Sequence, residues 1–342
     1  MTALGILWFF LIFLLIAGYF VLDGFDLGAG VLYPFIAKDD DEKAIIRRSI
    51  GPVWDGNEVW LLTAGGALFA AFAPAYATTF SGFYLAIMLV LFGLILRGVS
   101  VEFAARDRAW AHVWDICFFV GSLLPALLCG VAVGNIYAGI PMDAAGNYNG
   151  IPLLGLITPF TLLCGLLGLA MFCCAGASWI ALKAPVTSQL RDRATKLRAL
   201  LQLVALLLFV FVSLYGHFVI RPAMVPSLTI VRFACAIVFV LGMVLCLFWG
   251  RDEGRDVYVF VAQSVAAVAL TFLLATSMFP NLVVASADSI GPAITVATAA
   301  SSDLALTWMT GIACIGVPLV LVYHVFVYYK FRGRITDEDL KH

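Results

Sequence analysis

The residues most able to do chemistry in this chain are carboxyl groups placed inside apolar segments. Asp23 and Asp26 interrupt the apolar run 4–36, and Asp55 and Glu58 stand near the start of the next run. An ionised group at the centre of a bilayer costs about 2.5–3.5 kcal/mol on insertion scales, so such groups usually serve an ion or proton pathway. The i,i+3 spacing places the two members of each pair on one face of a helix.

Small residues next to the first pair indicate what its face contacts. Gly24 and Gly28 form a small-x-x-x-small pattern, which allows a second helix to approach closely. We therefore expect the side of the helix with Asp23 and Asp26 to lie against protein. In the alternative, both acids lie at the membrane interface, because the run is longer than one span requires.

The second pair stands in the sequence GPVWDGNEVW. Pro52 suits the first turn of a helix, and Ser49 could act as its cap. Asp55 would then lie close to the positive end of the helix dipole. A purely structural helix start explains the proline and Asp55, but it does not explain why Asn57 and Glu58 follow further into the span.

The elements that must position these acids are membrane helices. Of the 342 residues, 63% are hydrophobic and 12% are charged, whereas a soluble domain has roughly 45–50% apolar and about 25% charged residues. Too few polar side chains are present to cover a soluble fold, and a net charge of −1 does not suggest a nucleic-acid partner. We predict one all-α integral membrane domain over residues 1–342, with the first span retained because no basic residues precede it.

About 20 helical residues cross a bilayer core of roughly 30 Å. Nine runs fit this length, but Asp55, Asn57 and Glu58 interrupt the second run, so eight spans are the alternative. The predicted spans are 4–36, 52–73, 78–101, 113–137, 153–182, 199–220, 228–249, 257–279 and 304–329.

The positions of the basic residues favour nine spans. With nine, 18 of the 20 Lys and Arg residues fall on one side of the membrane, and Arg221 and Arg232 fall on the other. The positive-inside rule then places the N-terminus outside and the C-terminus in the cytoplasm. Acids near the cytoplasmic ends of the spans suggest a proton-entry path. These acids are Asp23, Asp26, Asp55, Glu58, Glu102 and Asp115.

No residue pattern indicates a redox or catalytic centre in this chain. The histidines are scattered, and no two share a helix face as a haem or metal pair would require. The eight cysteines stand in apolar runs without a C-x-x-C spacing, which favours a role as packing residues. We therefore expect no catalytic residue, cofactor or metal here. The histidines are His112, His217, His324 and His342.

Long motifs between residues 20 and 110 resemble those of subunit II of the cytochrome bd quinol oxidases. Besides the acids they contain Gly24, Gly28, Trp54, Gly56 and Asn57, and shorter matches continue to the C-terminus. The matching sequences are DGFDLG at 23–28, WDGNEVWL at 54–61, TAGGALFA at 63–70 and FSGFY at 80–84.

The resemblance implies a subunit of a bacterial terminal oxidase in the inner membrane. Such complexes oxidise quinol and reduce dioxygen to water with protons from the cytoplasm, which generates a membrane potential without pumping. The family's subunit I carries two b haems, one d haem and the quinol site, whereas subunit II carries no haem and packs against subunit I. The implied fold is two four-helix bundles plus a peripheral helix. In some members subunit II holds a structural quinone, and small single-span accessory subunits are further expected partners, with membrane lipid.

The resemblance also implies a proton path at the subunit interface. Asp26 and Asp55 match family acids assigned to that path, and Glu102 stands where some members have Asp. Val53 replaces a histidine that many members have, so the family's relay at this position does not transfer. Some members have Gln at the position of Glu58, so the resemblance does not require a charge there, and no quinone contact is assigned from the sequence.

Two other classes of protein compete with this interpretation. Polar clusters in broken membrane helices also mark the substrate sites of secondary transporters, so a proton-coupled transporter is the main alternative. Such a protein would purify alone and colourless, whereas an oxidase subunit would purify with a haem protein. A purely structural scaffold would tolerate replacement of Asp26 and Asp55 without loss of turnover.

Overall fold

The computed structural model describes residues 1–104, 106–220, 228–252, 254–336 and 338–340. Over these residues the chain is almost entirely helical, which confirms an all-α membrane protein. The helices are α1 (Ala3–Ile36), α2 (Asp40–Ile50), α3 (Trp54–Ala71), α4 (Ala73–Gly82), α5 (Tyr84–Phe103), α6 (Ala111–Ala138), α7 (Pro159–Lys183), α8 (Gln189–Tyr215), α9 (Thr229–Trp249), α10 (Asp256–Met278), α11 (Val296–Ala299) and α12 (Asp303–Lys330).

Short elements connect the long helices. Strands β1 (Asn281–Val283) and β2 (Ile294–Thr295) pair antiparallel between α10 and α11. One-turn 3₁₀ helices cover Arg108–Trp110 and Leu154–Leu156, and a π-helical turn, Gly216–Ile220, extends α8.

Eight helices in the described part of the chain are long and apolar enough to cross a membrane. The predicted span 52–73 is not among them: it forms α3, whose 18 residues include Asp55 and Glu58. A count of eight candidate spans is therefore established, and the ninth span stays a prediction. The eight are α1, α5, α6, α7, α8 with its π-turn, α9, α10 and α12.

Several predicted boundaries were wrong. The span 78–101 is divided between α4 and α5, which meet at Phe83. Helix α8 begins at Gln189, ten residues before the predicted start, because the Ser188 hydroxyl caps it and its first basic turns lie partly against protein. Ser49 does not cap α3: its hydroxyl donates to Ile46 within α2, and α3 begins without a side-chain cap.

Helix α1 lies at the centre of the molecule, against α3, α6, α7 and α10. Its contact with α7 is made at glycines: a Cβ atom on Gly28 would lie 1.8 Å from the Phe172 carbonyl oxygen, and one on Gly176 would lie 2.3 Å from the Gly28 carbonyl carbon. The predicted close approach of a second helix to Gly28 is confirmed. Two groups of helices meet along this contact, one made of α1, α3, α5 and α6, the other of α7, α8, α9 and α10.

The links gather at two ends of the molecule. At the end where α1 finishes, called the Ile36 end, Arg193 Nε donates to Ile36 O at 2.8 Å and Arg334 Nη1 donates to Ala184 O at 2.7 Å. At the opposite end, called the Thr2 end, the amide of Ile140 donates to Val284 O at 3.0 Å. These contacts place links with basic residues at one physical end and links without them at the other, while Arg221 of the predicted opposite side lies outside the described residues.

Helix α3 runs antiparallel to α1 over most of its length. Asn57 bonds to the carbonyl oxygen of Leu22, and the Trp60 ring lies against Gly18. At the other end of α3, Phe72 is buried in one apolar cluster with Trp8. Helix α3 thus extends from the Ile36 half of α1 to its Thr2 end.

Helix α12 is the least buried of the long helices, and it contacts α1 and α3. Only Leu306 and His324 are buried along it, while apolar residues such as Ile312 and Leu319 are exposed. It therefore lies at the periphery of the described part of the chain.

Candidate functional site

One arginine binds two of the predicted acids inside the helix bundle. Arg97 on α5 donates through Nη2 to Asp23 Oδ1 on α1 at 2.6 Å and also to Glu58 Oε1 on α3. Arg97 and Asp23 are fully buried, whereas the Glu58 side chain is 23% exposed. Three helices are therefore joined by one guanidinium group, and Glu58 lies between this buried pair and the protein surface.

A third predicted acid, Asp26, is fully buried and bonded to an amide. Asn57 Nδ2 on α3 donates to Asp26 Oδ2 at 2.7 Å and to Leu22 O at 3.1 Å. On the other side of the amide, the Tyr328 hydroxyl of α12 donates to Asn57 Oδ1 at 2.9 Å. Asp23 and Asp26 are both fully buried, so the expectation that the acidic side of α1 lies against protein is confirmed.

Several buried polar atoms around these acids lack a hydrogen-bond partner among the described residues. Buried polar atoms without a protein partner are the usual positions for internal water. The atoms are Asp23 Oδ2, Asp26 Oδ1, Arg97 Nε and Nη1, and the Tyr19 hydroxyl.

Asp55 and Glu102 are not part of the buried cluster. Both are exposed on the surface of the chain, and Asp55 accepts a hydrogen bond from the amide of Gly56. They belong to neighbouring parts of the surface, because the Trp54 ring lies against Gly98, one turn before Glu102. The structure thus brings together Asp23, Asp26 and Glu58, and it leaves Asp55 and Glu102 facing outwards.

Motif residues around the acids hold the helices together. A Cβ atom on Gly24 would lie 2.8 Å from the Phe172 ring, and one on Gly98 would lie 2.8 Å from the Trp54 ring. A Cβ atom on Gly56 would lie 3.6 Å from the Tyr323 ring, an ordinary van der Waals distance. Close contact with an aromatic ring therefore explains Gly24 and Gly98 but not Gly56.

Asp115, which the sequence placed with the proton-entry acids, forms a separate ion-pair group at the Ile36 end. Lys43 Nζ of α2 lies 2.7 Å from Asp115 Oδ2, and Arg47 and the Tyr33 hydroxyl bind Oδ1. The hydrogen bond to Asp115 raises the pKa of Lys43. This group fixes α2 to the start of α6.

A cavity of about 430 Å³ lies between the two groups of helices. Its walls are mainly apolar, with Phe20, Phe172 and Phe209 among the lining residues. Its polar lining includes Gln263, whose amide donates to Met171 O at 3.3 Å, and His217, whose Nδ1 is buried without a hydrogen-bond partner among the described residues. A volume in this range suits a small organic ligand.

Sequence reasoning missed two residues of the cluster. Arg97 was counted with the basic residues of a link, although its position inside an apolar run was a signal of a buried partner. Tyr328 gave no signal at all, because a tyrosine near a helix end is usual at a membrane interface.

Comparison with known proteins identifies the family. The family model for cytochrome bd terminal oxidase subunit II matches residues 4–331. Cytochrome bd-I ubiquinol oxidase subunit 2 of Escherichia coli K12 is 35% identical, with 99% of this chain and 97% of that protein aligned. Cytochrome bd ubiquinol oxidase subunit 2 of Bacillus subtilis 168 is also 35% identical, with 99% of each chain aligned.

A solved structure shares the fold. The bd oxidase from Geobacillus thermodenitrificans contains a chain that superimposes with a TM-score of 0.78 at 17% identity, over 96% of this chain and 99% of that one. The family model and the sequence relatives support a terminal oxidase subunit rather than a transporter. The chain therefore belongs to the cytochrome bd terminal oxidase subunit II family, and it is a multi-pass inner-membrane subunit of a bacterial quinol oxidase complex.

Proposed function

We propose that this chain is the haem-free subunit of its oxidase and that it supplies a proton path to a haem-bearing subunit I. The complex would oxidise quinol and reduce dioxygen to water, and this chain alone would not be catalytic. The observation that carries the proposal is the cluster of Asp23, Asp26 and Glu58 around a single buried arginine, Arg97.

Charge balance supports proton exchange in this cluster. Three carboxyl groups lie near one guanidinium group, and uncompensated buried charge is costly. Binding or release of a proton is the simplest way for such a group to stay close to neutral. The buried polar atoms without protein partners give positions for water molecules that would complete the path.

We infer nine spans, with α3 as the ninth. Its 18 residues correspond to about 27 Å at 1.5 Å per residue, close to the thickness of a bilayer core. Its antiparallel course along α1 carries it from the Ile36 half of the molecule to the Thr2 end. With nine spans the Ile36 end faces the cytoplasm, the N-terminus lies outside, and the two helix groups are the two four-helix bundles of the family.

An exposed stripe on α3 is the proposed contact with subunit I. It consists of residues at helical spacing on one face: Asp55, Val59, Leu62, Gly66 and Phe69. Lipid would solvate the apolar side chains of this stripe but not an ionised Asp55. A protein partner is therefore a more favourable neighbour for the stripe than lipid. Gly66 has no atom of this chain within 4 Å of an added Cβ, which leaves room for a helix of the partner.

The histidines that the structure describes support the placement of the haems in subunit I. His324 is already bonded, because it accepts from Trp60 Nε1 at 3.2 Å through Nε2 while Nδ1 lies 2.9 Å from Val320 O. His112 is exposed near the Ile36 end, and His217 lines the apolar cavity. These three do not face one another as a pair of axial ligands would.

The apolar cavity is the proposed place for a structural quinone. Its aromatic and aliphatic walls suit an isoprenoid tail, and His217 Nδ1 is a buried polar atom able to bond a quinone oxygen in one tautomer. A bound quinone would contribute packing between the two helix groups, and these residues would bind and orient it.

The test is proton uptake by the purified complex with Asp55→Asn in this chain. A reduced-minus-oxidised spectrum first establishes that the haems are present in the variant. We expect slower proton uptake and slower quinol oxidation at unchanged haem content, because the exposed entry to the cluster loses its proton carrier. Asp303→Asn, at the Thr2 end, is the matched control. Unchanged uptake in Asp55→Asn would refute the proton path.

A further inference from the structure

The peripheral helix α12 reaches the acid cluster through two polar side chains. Tyr328 bonds to Asn57, and His324 accepts from Trp60, so both contacts are made to α3. Of these two contacts only the first continues to an acid, because Asn57 in turn donates to Asp26. An otherwise exposed helix is therefore one hydrogen-bonded residue away from a fully buried carboxyl group.

The bonds around Asn57 fix which way its amide points. Nδ2 faces two acceptors, Leu22 O and Asp26 Oδ2, while Oδ1 faces the Tyr328 hydroxyl. An amide has two donors and one acceptor oxygen, and all three are used here. Without the hydroxyl of Tyr328, Oδ1 would be buried with no donor, and only the two Nδ2 bonds, to Leu22 O and Asp26 Oδ2, would hold the amide.

We propose that Tyr328 on α12 is a positioning residue for proton transfer: it holds the Asn57 amide so that Nδ2 donates to Asp26, and it thereby sets the proton affinity of that carboxyl group. The inference rests on the proposed proton path. Tyr328 is not itself a step of that path, because it transfers no proton and contacts no reactant.

Other charged and titratable groups also face Asp26. Asp23 is its neighbour on α1, Glu58 lies on α3, and Arg97 projects from α5. On α6, Cys129 lies near Asp23. These groups stay in place when only the Tyr328 hydroxyl is removed, and comparison with an Asn57→Ala background separates the route through the amide from the direct effect of the hydroxyl on Asp26.

The Tyr328 ring and the end of α12 that carries it are held in place by other contacts. The Tyr328 ring lies 5.9 Å from the Trp179 ring and 6.4 Å from the Phe25 ring, centroid to centroid. Just beyond α12, Lys183 Nζ donates to Phe331 O, and Arg334 donates to Ala181 O and Ala184 O. The ring therefore stays in position when only the hydroxyl is removed, which makes Tyr328→Phe a conservative test.

The experiment is an infrared pH titration of the purified complex with Tyr328→Phe. The carbonyl-stretch band of protonated Asp26 is assigned by its loss in Asp26→Asn. We expect the pH at which this band is half-maximal to rise by roughly 0.5–1 unit, because ionised Asp26 loses part of a charge-assisted hydrogen bond. The alkaline limb of quinol oxidation should move in the same direction, at an unchanged KM for quinol.

Two controls separate positioning from a general disturbance of α12. Tyr329→Phe removes an exposed hydroxyl from the next residue. Trp60→Phe breaks the other hydrogen bond between α3 and α12, the one from Trp60 to His324. Neither should move the Asp26 band. In an Asn57→Ala background, Tyr328→Phe should have no further effect, because the coupling runs through the amide.

Specific outcomes would overturn the inference. An Asp26 band that titrates identically in Tyr328→Phe and in the unaltered complex would do so, and so would an equal shift in Tyr329→Phe. The proposed proton path is tested separately. If Asp26→Asn leaves proton uptake unchanged, the proton path through Asp26 is wrong. If Tyr328→Phe still shifts the Asp26 band in that case, Tyr328 positions Asn57 even though Asp26 is not on a proton path.

Discussion

At the scale of single residues, the distinctive feature is that one guanidinium group satisfies acids from two other helices. Arg97 is fully buried and joins Asp23 of α1 to Glu58 of α3. Removing one member of a buried ion pair leaves uncompensated charge, whereas replacing all members by neutral groups of similar size is tolerated much better. The cluster of Arg97, Asp23 and Glu58 can therefore be needed both for folding and for proton transfer. Variants that remove one charge or all three charges separate the two roles.

Replacing this guanidinium should destabilise the complex. We expect Arg97→Met to cost about 3–5 kcal/mol, because Asp23 and Glu58 lose their shared partner. The measurement is the thermal midpoint of the purified complex. Arg106→Met, at an exposed position, is the control. The triple variant with Asp23→Asn and Glu58→Gln should recover most of the loss, and an unaltered midpoint in Arg97→Met would contradict the account.

At the scale of elements, the two helix groups are held together by the crossing of α1 and α7. Gly28 and Gly176 let the two backbones meet with no side chain between them. This crossing brings the Phe172 ring against Gly24, beside Asp23, and it lies next to the cavity that Phe172 also lines. The position of the acids on α1 thus depends on small residues four positions apart.

A single methyl group at this crossing should disturb assembly. Gly28→Ala would place Cβ 1.8 Å from the Phe172 carbonyl oxygen, and backbone atoms can only move apart. We expect a loss of at least about 1–3 kcal/mol, the usual cost of overpacking. Size-exclusion chromatography of the solubilised complex after graded heating measures it. Gly66→Ala is the control, because no atom of this chain lies within 4 Å of the added Cβ, and it should be as stable as the unaltered protein. Equal stability of Gly28→Ala and Gly66→Ala would show that the crossing of α1 and α7 has room for a methyl group.

At the scale of the whole molecule, many helix faces of the described residues expose apolar surface, and the exposed stripe of α3 also carries an acid. Membrane lipid covers apolar helix faces at no cost, so exposure of leucine or phenylalanine alone identifies no partner. On the stripe of Asp55, Val59, Leu62, Gly66 and Phe69, a carboxyl group and an open glycine share one face of α3, the helix that also carries Glu58 of the acid cluster. A second subunit on this face would bury the entry to the acid cluster.

A bulky residue on the stripe should weaken binding of subunit I and leave this chain folded. We expect Gly66→Leu to lower the yield of haem that copurifies with a tagged form of this chain by about tenfold, the effect of 1.4 kcal/mol, because the partner helix can no longer approach. Ala234→Leu on the exposed side of α9 is the control. Full haem recovery with Gly66→Leu would exclude this face as the interface.

Filling the cavity should remove any bound quinone. Ala267 lines the cavity, and Ala267→Phe places a ring inside it. We expect less quinone in lipid extracts of the purified complex, measured by mass spectrometry against haem content. Val265→Phe, which adds the ring on the exposed side of the same helix, should retain it. Equal quinone in both variants would show that the cavity holds none.

The class of fold and the region of the site could both be predicted from the order of the residues. A composition of 63% hydrophobic residues requires a membrane environment, and the i,i+3 spacing of Asp23 and Asp26 placed both on one buried face. Glycine spacing predicted the close helix contact at Gly28. These features follow from local periodicity and from the cost of charge in lipid, which do not depend on how the helices are arranged.

Which acids meet, and which partners they have, became known from the folded arrangement of the helices. Hydropathy cannot tell that Arg97 turns inwards, that Asp55 turns outwards, or that Tyr328 comes within a hydrogen bond of Asn57, more than 270 positions away. Helix order and rotation are set by packing between distant segments, and no local pattern records them. The acids were visible in the sequence because burying charge is costly; their neighbours were not, because proximity is a property of the fold.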